Sequence, residues 1–224
     1  MKKILAIIGL AAVAVSSSYA QGLVFFNNQN NTRISTNSID NGAASGVVGA
    51  TAGTFYYALF YSTTQTTIGG TQTASVIGTN GIYAFNASGW NNSGLTATNS
   101  GATAGRFASN SSDAGNNSIA AGLPGVTAAQ FVVIGWSSSI GSTIAALQAW
   151  LQNPTVIGYI GESAVSGAIT TGNGGTQVTP AIMGISAPQI AGFTLGLVTP
   201  VPEPGTLALA ALGGASLLLF RRKK

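Results

Sequence analysis

The octet from Thr54 to Tyr61 (TFYYALFY) constrains the fold more than any other part of the chain. In an extended strand successive side chains point to opposite faces, so Phe55, Tyr57, Leu59 and Tyr61 fall on one side and Tyr56, Ala58 and Phe60 on the other. Both sides are apolar, which predicts a strand covered on both faces or one with an aromatic outer face. The run from Phe131 to Trp136 (FVVIGW) is a second strand of this kind. Near the end of the chain Ala191, Phe193, Leu195 and Leu197 alternate with Gly192, Thr194 and Gly196, the period of a half-buried strand. Leu23–Phe26 and Val156–Ile160 are shorter candidates. Clusters of Gly, Asn, Ser and Thr separate them, including the turn-forming pairs Asn41-Gly42 and Asn80-Gly81.

One segment departs from this pattern. Between Ser142 and Leu151, Ile144, Leu147 and Leu151 recur at helical spacing, with Ser142 as N-cap and Asn153-Pro154 as the stop. Trp150 in this helix reads as a core or cover residue. From about Ala87 to Ala121 the chain is rich in Asn, Ser, Gly and Ala with little periodicity, which predicts long loops or an insertion. No fixed-period repeat points to a solenoid or propeller. The expected fold is mostly β: an antiparallel β-sandwich over residues 21–199 with one short helix on or beside it. An N-terminal signal helix and a C-terminal hydrophobic helix would flank it.

Charge separates this middle from the two ends. The whole chain has a net charge of +4 and a pI of about 9.6. Only 5% of its residues are charged, against about 25% in ordinary soluble domains. Between Gln21 and Pro200 the charged residues are Arg33 and Arg106 against Asp40, Asp113 and Glu162. The other basic residues are Lys2, Lys3, Arg221, Arg222, Lys223 and Lys224. Two arginines cannot neutralise a nucleic-acid backbone, so no nucleic-acid partner is expected.

Each end has the anatomy of a processing signal. Lys2 and Lys3 precede the apolar run Ile4–Val15, and Ser16 to Ala20 form a polar stretch with small residues at Ser18 and Ala20. That order predicts a Sec signal peptide over residues 1–20, cut by signal peptidase between Ala20 and Gln21. Ile4–Val15 rises only about 18 Å as a helix, short of the roughly 30 Å hydrocarbon core. At the other end, the prolines of Thr199–Gly205 exclude a helix interior and present Glu203 between Pro202 and Pro204. The uncharged apolar stretch Leu207–Phe220 follows, then Arg221, Arg222, Lys223 and Lys224. That basic cluster would hold the tail with its end in the cytoplasm and the domain across the inner membrane. The stretch reaches about 21 Å, short for a lasting anchor.

Residues 200–224 resemble the PEP-CTERM sorting signal of Gram-negative, exopolysaccharide-producing bacteria. The resemblance rests on Pro202-Glu203-Pro204, the transmembrane segment 207–220 and the basic tail 221–224, in that order. Pro204-Gly205-Thr206 stands where such tails often continue Pro-Ser-Thr, a mild departure. The resemblance implies that an exosortase, a membrane cysteine protease-transpeptidase, recognises Pro202, Glu203 and Pro204 and removes the tail. The protein would then pass from an inner-membrane intermediate to the outer surface or extracellular matrix. The same segment also reads as a plain C-terminal anchor.

Residue types eliminate most chemistry in the middle. The chain has no His and no Cys, which removes Ser-His-Asp and Cys-His nucleophilic sites and zinc sites with His or Cys ligands. Gly161-Glu162-Ser163-Ala164 resembles the start of a nucleophile elbow, but Val165 replaces the closing Gly, and a turn or strand end is the simpler reading. No Lys lies between Gln21 and Pro200, so neither a Ser–Lys dyad nor a Lys–Asn cross-link can form there. A glycosidase would need two of Asp40, Asp113 and Glu162 to converge. Each reads more simply as a cap, a turn residue or half of an ion pair with Arg33 or Arg106. The oxygen-rich stretch Asp113–Ser118 lacks the spaced acidic pattern of a calcium loop, and Gly172–Gly175 reads as a turn. No cofactor or metal is expected.

The expected function is that of an exported, exosortase-sorted surface or matrix protein, non-catalytic and associated with exopolysaccharide. The first alternative is a carbohydrate-binding or adhesive module with a defined glycan. Its candidate stacking residue is Trp90, beside Asn91 and Asn92, with a core role as the leading reading of that Trp. The second alternative is a carboxylate-dependent glycan hydrolase or lyase.

Overall fold

The computed structural model describes residues 21–37, 44–74 and 81–200. The expected signal peptide, the Asn41-Gly42 turn, Asn80 and the tail from Val201 onward lie outside the described residues. In chain order the elements are β1 (Gln21–Val24), β2 (Ser35–Asn37), β3 (Ala44–Val47), β4 (Phe55–Ser62), β5 (Asn91–Asn99) and β6 (Phe107–Ser109). They continue with β7 (Ser118–Pro124), β8 (Ala128–Ser137), α1 (Ile144–Gln152), β9 (Gly158–Glu162), β10 (Ile169–Thr170) and β11 (Thr194–Val198).

The two longest apolar runs form the centre of the sheet. β4 and β8 pair antiparallel from Phe55↔Ser137 to Ser62↔Gln130. The full order is β3-β2-β11-β9-β8-β4-β5-β6, with β10 also on β8, while β1 and β7 make a separate antiparallel ribbon. One pair departs from the antiparallel expectation: β11 runs parallel to β2, with Thr194 opposite Ser35. The layers also arise differently from two stacked sheets. The single sheet curls until its ends meet, with Gly105 N–H donating to the Val48 carbonyl (2.7 Å) and Ile34 N–H donating to the Gly105 carbonyl (2.9 Å).

The curl creates an inner and an outer core. Tyr57, Leu59 and Tyr61 of β4 point inward with Phe131 and Val133 of β8. Val24 and Leu123 of the ribbon close over them, and Phe26 and Phe107 join the same cluster. Phe60 of β4, Ile134 and Trp136 of β8 and Ile160 of β9 point outward, beneath Leu147 and Trp150 of α1 and the loop residues Ile68, Tyr83 and Trp90. Both faces of β4 are therefore covered, as its sequence requires. Gly135 and Gly161 sit opposite each other across β8 and β9. A Cβ on Gly135 would come within 2.9 Å of the Tyr57 ring, and one on Gly161 would meet the Thr194 carbonyl. The missing side chains let Tyr57 and β11 pack down onto the sheet.

The helix forms where expected, one residue off at its start. Thr143, in place of Ser142, caps it, its hydroxyl accepting from Ala146 N–H at 3.1 Å. At the other end Asn153 N–H donates to the Trp150 carbonyl before Pro154 stops the helix.

The stretch from Ala87 to Ala121 is the main correction: it contains β5, β6 and the start of β7. β5 does alternate, but its buried positions are Ser93, Leu95, Ala97 and Asn99. Small and amide side chains carry the period that large apolar ones would have made visible. The strand expected over Val156–Ile160 begins at Gly158 instead, leaving Val156 and Ile157 exposed.

Candidate functional site

The polar residues that stood out in the sequence are mostly structural. Trp90 is only 8% exposed, and its indole N–H donates to the Thr67 carbonyl at 3.0 Å. It packs in the outer core, as its leading reading expected, and presents no face for stacking on a sugar. Trp150 is buried as expected, with its N–H on the Val156 carbonyl at 2.9 Å. Ser163 lies just past the end of β9. Its hydroxyl accepts from Val133 N–H (2.9 Å) and donates to the Ala164 carbonyl (2.9 Å). Ser166 does the same for Phe131 N–H at 2.8 Å. The two serines satisfy β8 where its partner strand has ended, so the elbow-like sequence is a strand end.

The carboxylates have separate duties. Asp113 sits in a turn, where one oxygen accepts from Gly115 N–H and Asn117 N–H, both at 2.8 Å. The side-chain amide and backbone N–H of Asn117 hold its carboxyl below the usual aspartate range. Glu162 ends β9 pointing into the outer core, 3% exposed, with Oε2 accepting from Ala84 N–H at 2.7 Å. Burial pushes its carboxyl up to about 7, against the opposing pull of the Ala84 bond. Asp40 lies outside the described residues. Arg106 Nε donates to the Asn28 carbonyl at 3.1 Å. The Gly172–Gly175 stretch is a turn held by Asn173, whose side-chain oxygen accepts from Gly175 N–H and Gln177 N–H.

Among the hollows on the surface of the described residues are two of similar volume. One, of about 670 Å³, surrounds Asp113, Asn117, Asn173 and Ile119. The other, of about 630 Å³, runs between the loop from Gly81 to Trp90 and α1. Glu162 shapes this second hollow indirectly, because the Ala84 N–H it holds lies between Tyr83 and Phe85, two of the lining residues. Gln148, Leu151 and Gln152 of α1 form the opposite wall, and Val198 at the end of β11 also lines it. The sequence reading missed this groove. Its only local signals are Tyr83-x-Phe85 in the loop and two Gln at i, i+4 on the helix.

The described chain leads from Val198 through Pro200 directly to the segment expected to direct sorting. A family model, the PEP-CTERM protein-sorting motif, matches residues 200–223. The chain carries an exosortase sorting signal. It marks the protein as exported to the cell surface, with an exosortase as the partner that reads the signal. No curated protein and no solved structure matches the chain significantly. Of the expected processing residues, Gln21 is the first residue of β1 and exposed. Ala20, Pro202, Glu203, Pro204, Arg221, Arg222, Lys223 and Lys224 lie outside the described residues, as does the segment 207–220. Among the described residues no helix is long and apolar enough to cross a membrane.

Proposed function

We propose that the protein is translocated by Sec, trimmed by signal peptidase after Ala20, and held briefly in the inner membrane by residues 207–224. An exosortase then releases it to the outer surface or extracellular matrix. There its β domain serves without catalysis, as a structural component associated with exopolysaccharide. The sorting motif over residues 200–223 carries this reading. The composition of the domain supports it, because with so few charges the exterior stays hydrated through amides and hydroxyls. Such a surface keeps its interactions across a wide range of ionic strength. Glu162 buried against Ala84 and Asp113 folded onto its own turn are each engaged locally.

Expression of the full chain beside an exosortase, followed by mass measurement of the surface form, tests the sorting. The expected mature protein begins at Gln21 and ends near Pro204, and a surface form with Lys224 intact overturns the reading. Fractionation of the producing cells tests the second half. The mature protein is expected with the exopolysaccharide, and its recovery entirely in other fractions removes the matrix role. The alternative of a defined glycan ligand gains one specific observation, the uncharged groove beside α1.

A further inference from the structure

The groove between the 81–90 loop and α1 has the chemistry of a binding site. Phe85 is half-buried, stacked on the buried Tyr83 ring at 5.1 Å and 14° and flanked by Phe60 at 6.5 Å. Its position is thus fixed from beneath by rings and through the backbone by Glu162, which holds the neighbouring Ala84 N–H. Gln148 and Gln152 stand one turn apart on α1, at the spacing that places two side chains on one helix face. Neither amide makes a hydrogen bond among the described residues. No lining side chain carries a charge at neutral pH.

These features select a ligand class. Each free amide offers donors and an acceptor, the combination that adjacent hydroxyls on a sugar ring require. An aromatic ring gives the C–H face of a sugar an apolar surface to cover. An anionic ligand would find no cation in the lining and a cationic one no carboxylate. The volume of about 630 Å³ falls within the ~300–1,000 Å³ typical of ligand clefts. We propose that this groove binds a segment of neutral polysaccharide, one sugar ring on Phe85 and its hydroxyls on Gln148 and Gln152. The proposal deepens the matrix-association reading and rests on it.

Calorimetry on the full chain, kept in a detergent without a sugar head group, tests the site. The probes are hexasaccharides of neutral glucan, mannan and galactan, an acidic hexuronide, and a peptide of the sequence TPVPEPG. At least one neutral hexasaccharide is expected to bind, with affinity changing less than twofold between low and high salt. The double variant Gln148→Ala/Gln152→Ala should weaken binding at least tenfold. Alanine suits both helix positions, so an unchanged melting curve separates this loss from unfolding. Phe85→Ala should weaken binding similarly, and Phe85→Tyr should keep it. Binding that the double variant leaves unchanged overturns the groove while matrix association stands. Failure of every neutral probe, or preference for the hexuronide or the peptide, also overturns it. Co-fractionation of the unaltered protein with exopolysaccharide decides separately whether the broader reading survives.

Discussion

The two cores of this domain solve the same burial problem with different side chains. The outer core holds Trp90, Trp136 and Trp150, and each indole N–H reaches a backbone carbonyl, of Thr67, Gly141 and Val156 respectively. The inner core is built of Phe, Tyr, Leu, Ile and Val drawn from strands as far apart as β1 and β11. Beside it, buried amides stitch the chain together. Asn28 donates to the Thr32 and Gly105 carbonyls and accepts from Phe107 N–H, and Asn99 accepts from Phe55 N–H while donating to the Gly49 carbonyl. The outer core is thus tied by indoles reaching carbonyls 5–23 residues away and by the buried Glu162 carboxyl on Ala84 N–H, the inner one by amides that bridge segments up to 79 residues apart. In a chain almost without charge, amides provide the long-range polar ties that ion pairs often supply elsewhere.

Substitutions on either side of the sheet test this contrast. Trp136→Ala in the outer core and Phe131→Ala in the inner core face opposite ways from one strand, and each should cost about 3–5 kcal/mol in denaturant unfolding. A loss below about 1 kcal/mol from either would mean that its face contributes little to the stability of the fold.

Glu162 is expected to have the next largest effect, and a pH-dependent one. Its folded value of about 7 lies above the ordinary 4.5, so the native state holds this proton more tightly than the unfolded chain. Its contribution is full below pH 4.5, declines as pH rises toward 7, and is gone above that, a change on the order of 3 kcal/mol. Glu162→Gln, which keeps an acceptor for Ala84 N–H, should flatten that slope and exceed the natural protein in stability at pH 8. A parallel pH profile in the variant would refute the buried-carboxyl account. Asp113 acts with opposite sign. Its depressed value favours the folded state above the usual aspartate range, and that contribution disappears only as pH falls below it.

Asn28→Ala leaves Phe107 N–H and two carbonyls without their amide partner and should cost about 2 kcal/mol. An Asn28 substitution as mild as one at exposed Asn30 would remove the argument that amides tie the inner core. The smallest effect runs the other way. The Tyr57 hydroxyl is buried with no hydrogen-bond partner among the described residues, and burial raises its ionisation well above the usual tyrosine value. Tyr57→Phe keeps the ring stacked on Phe107 and should raise stability by about 1 kcal/mol, read as a higher melting temperature.

Local pattern determined which parts could be read in advance. β4, β8, β11 and α1 carry their periodicity in large apolar residues within a few positions, and the sequence reading found all four. β5 follows the same period through Ser93, Ala97 and Asn99, which look like loop residues. Asn28 lies within the polar run from Asn27 to Asn31, where nothing distinguishes an amide that bridges distant carbonyls from a solvated neighbour. The parallel pairing of β11 with β2 joins residues that lie far apart in sequence, and no local signal records it. The groove escaped for the same reason, since its walls come from separate stretches and meet only in the fold. The sorting signal was legible because its information is linear.

The position of β11 has a mechanical consequence. It is an interior strand, held by β2 on one edge and β9 on the other, and the chain runs from its end into the sorting signal. In the proposed membrane-held stage, tension from the tail would enter along the axis of a strand paired on both edges. Its hydrogen bonds share the load in shear, instead of parting one after another as at a peeled edge. Before the proposed cleavage, the domain would be tethered through an interior strand of its sheet.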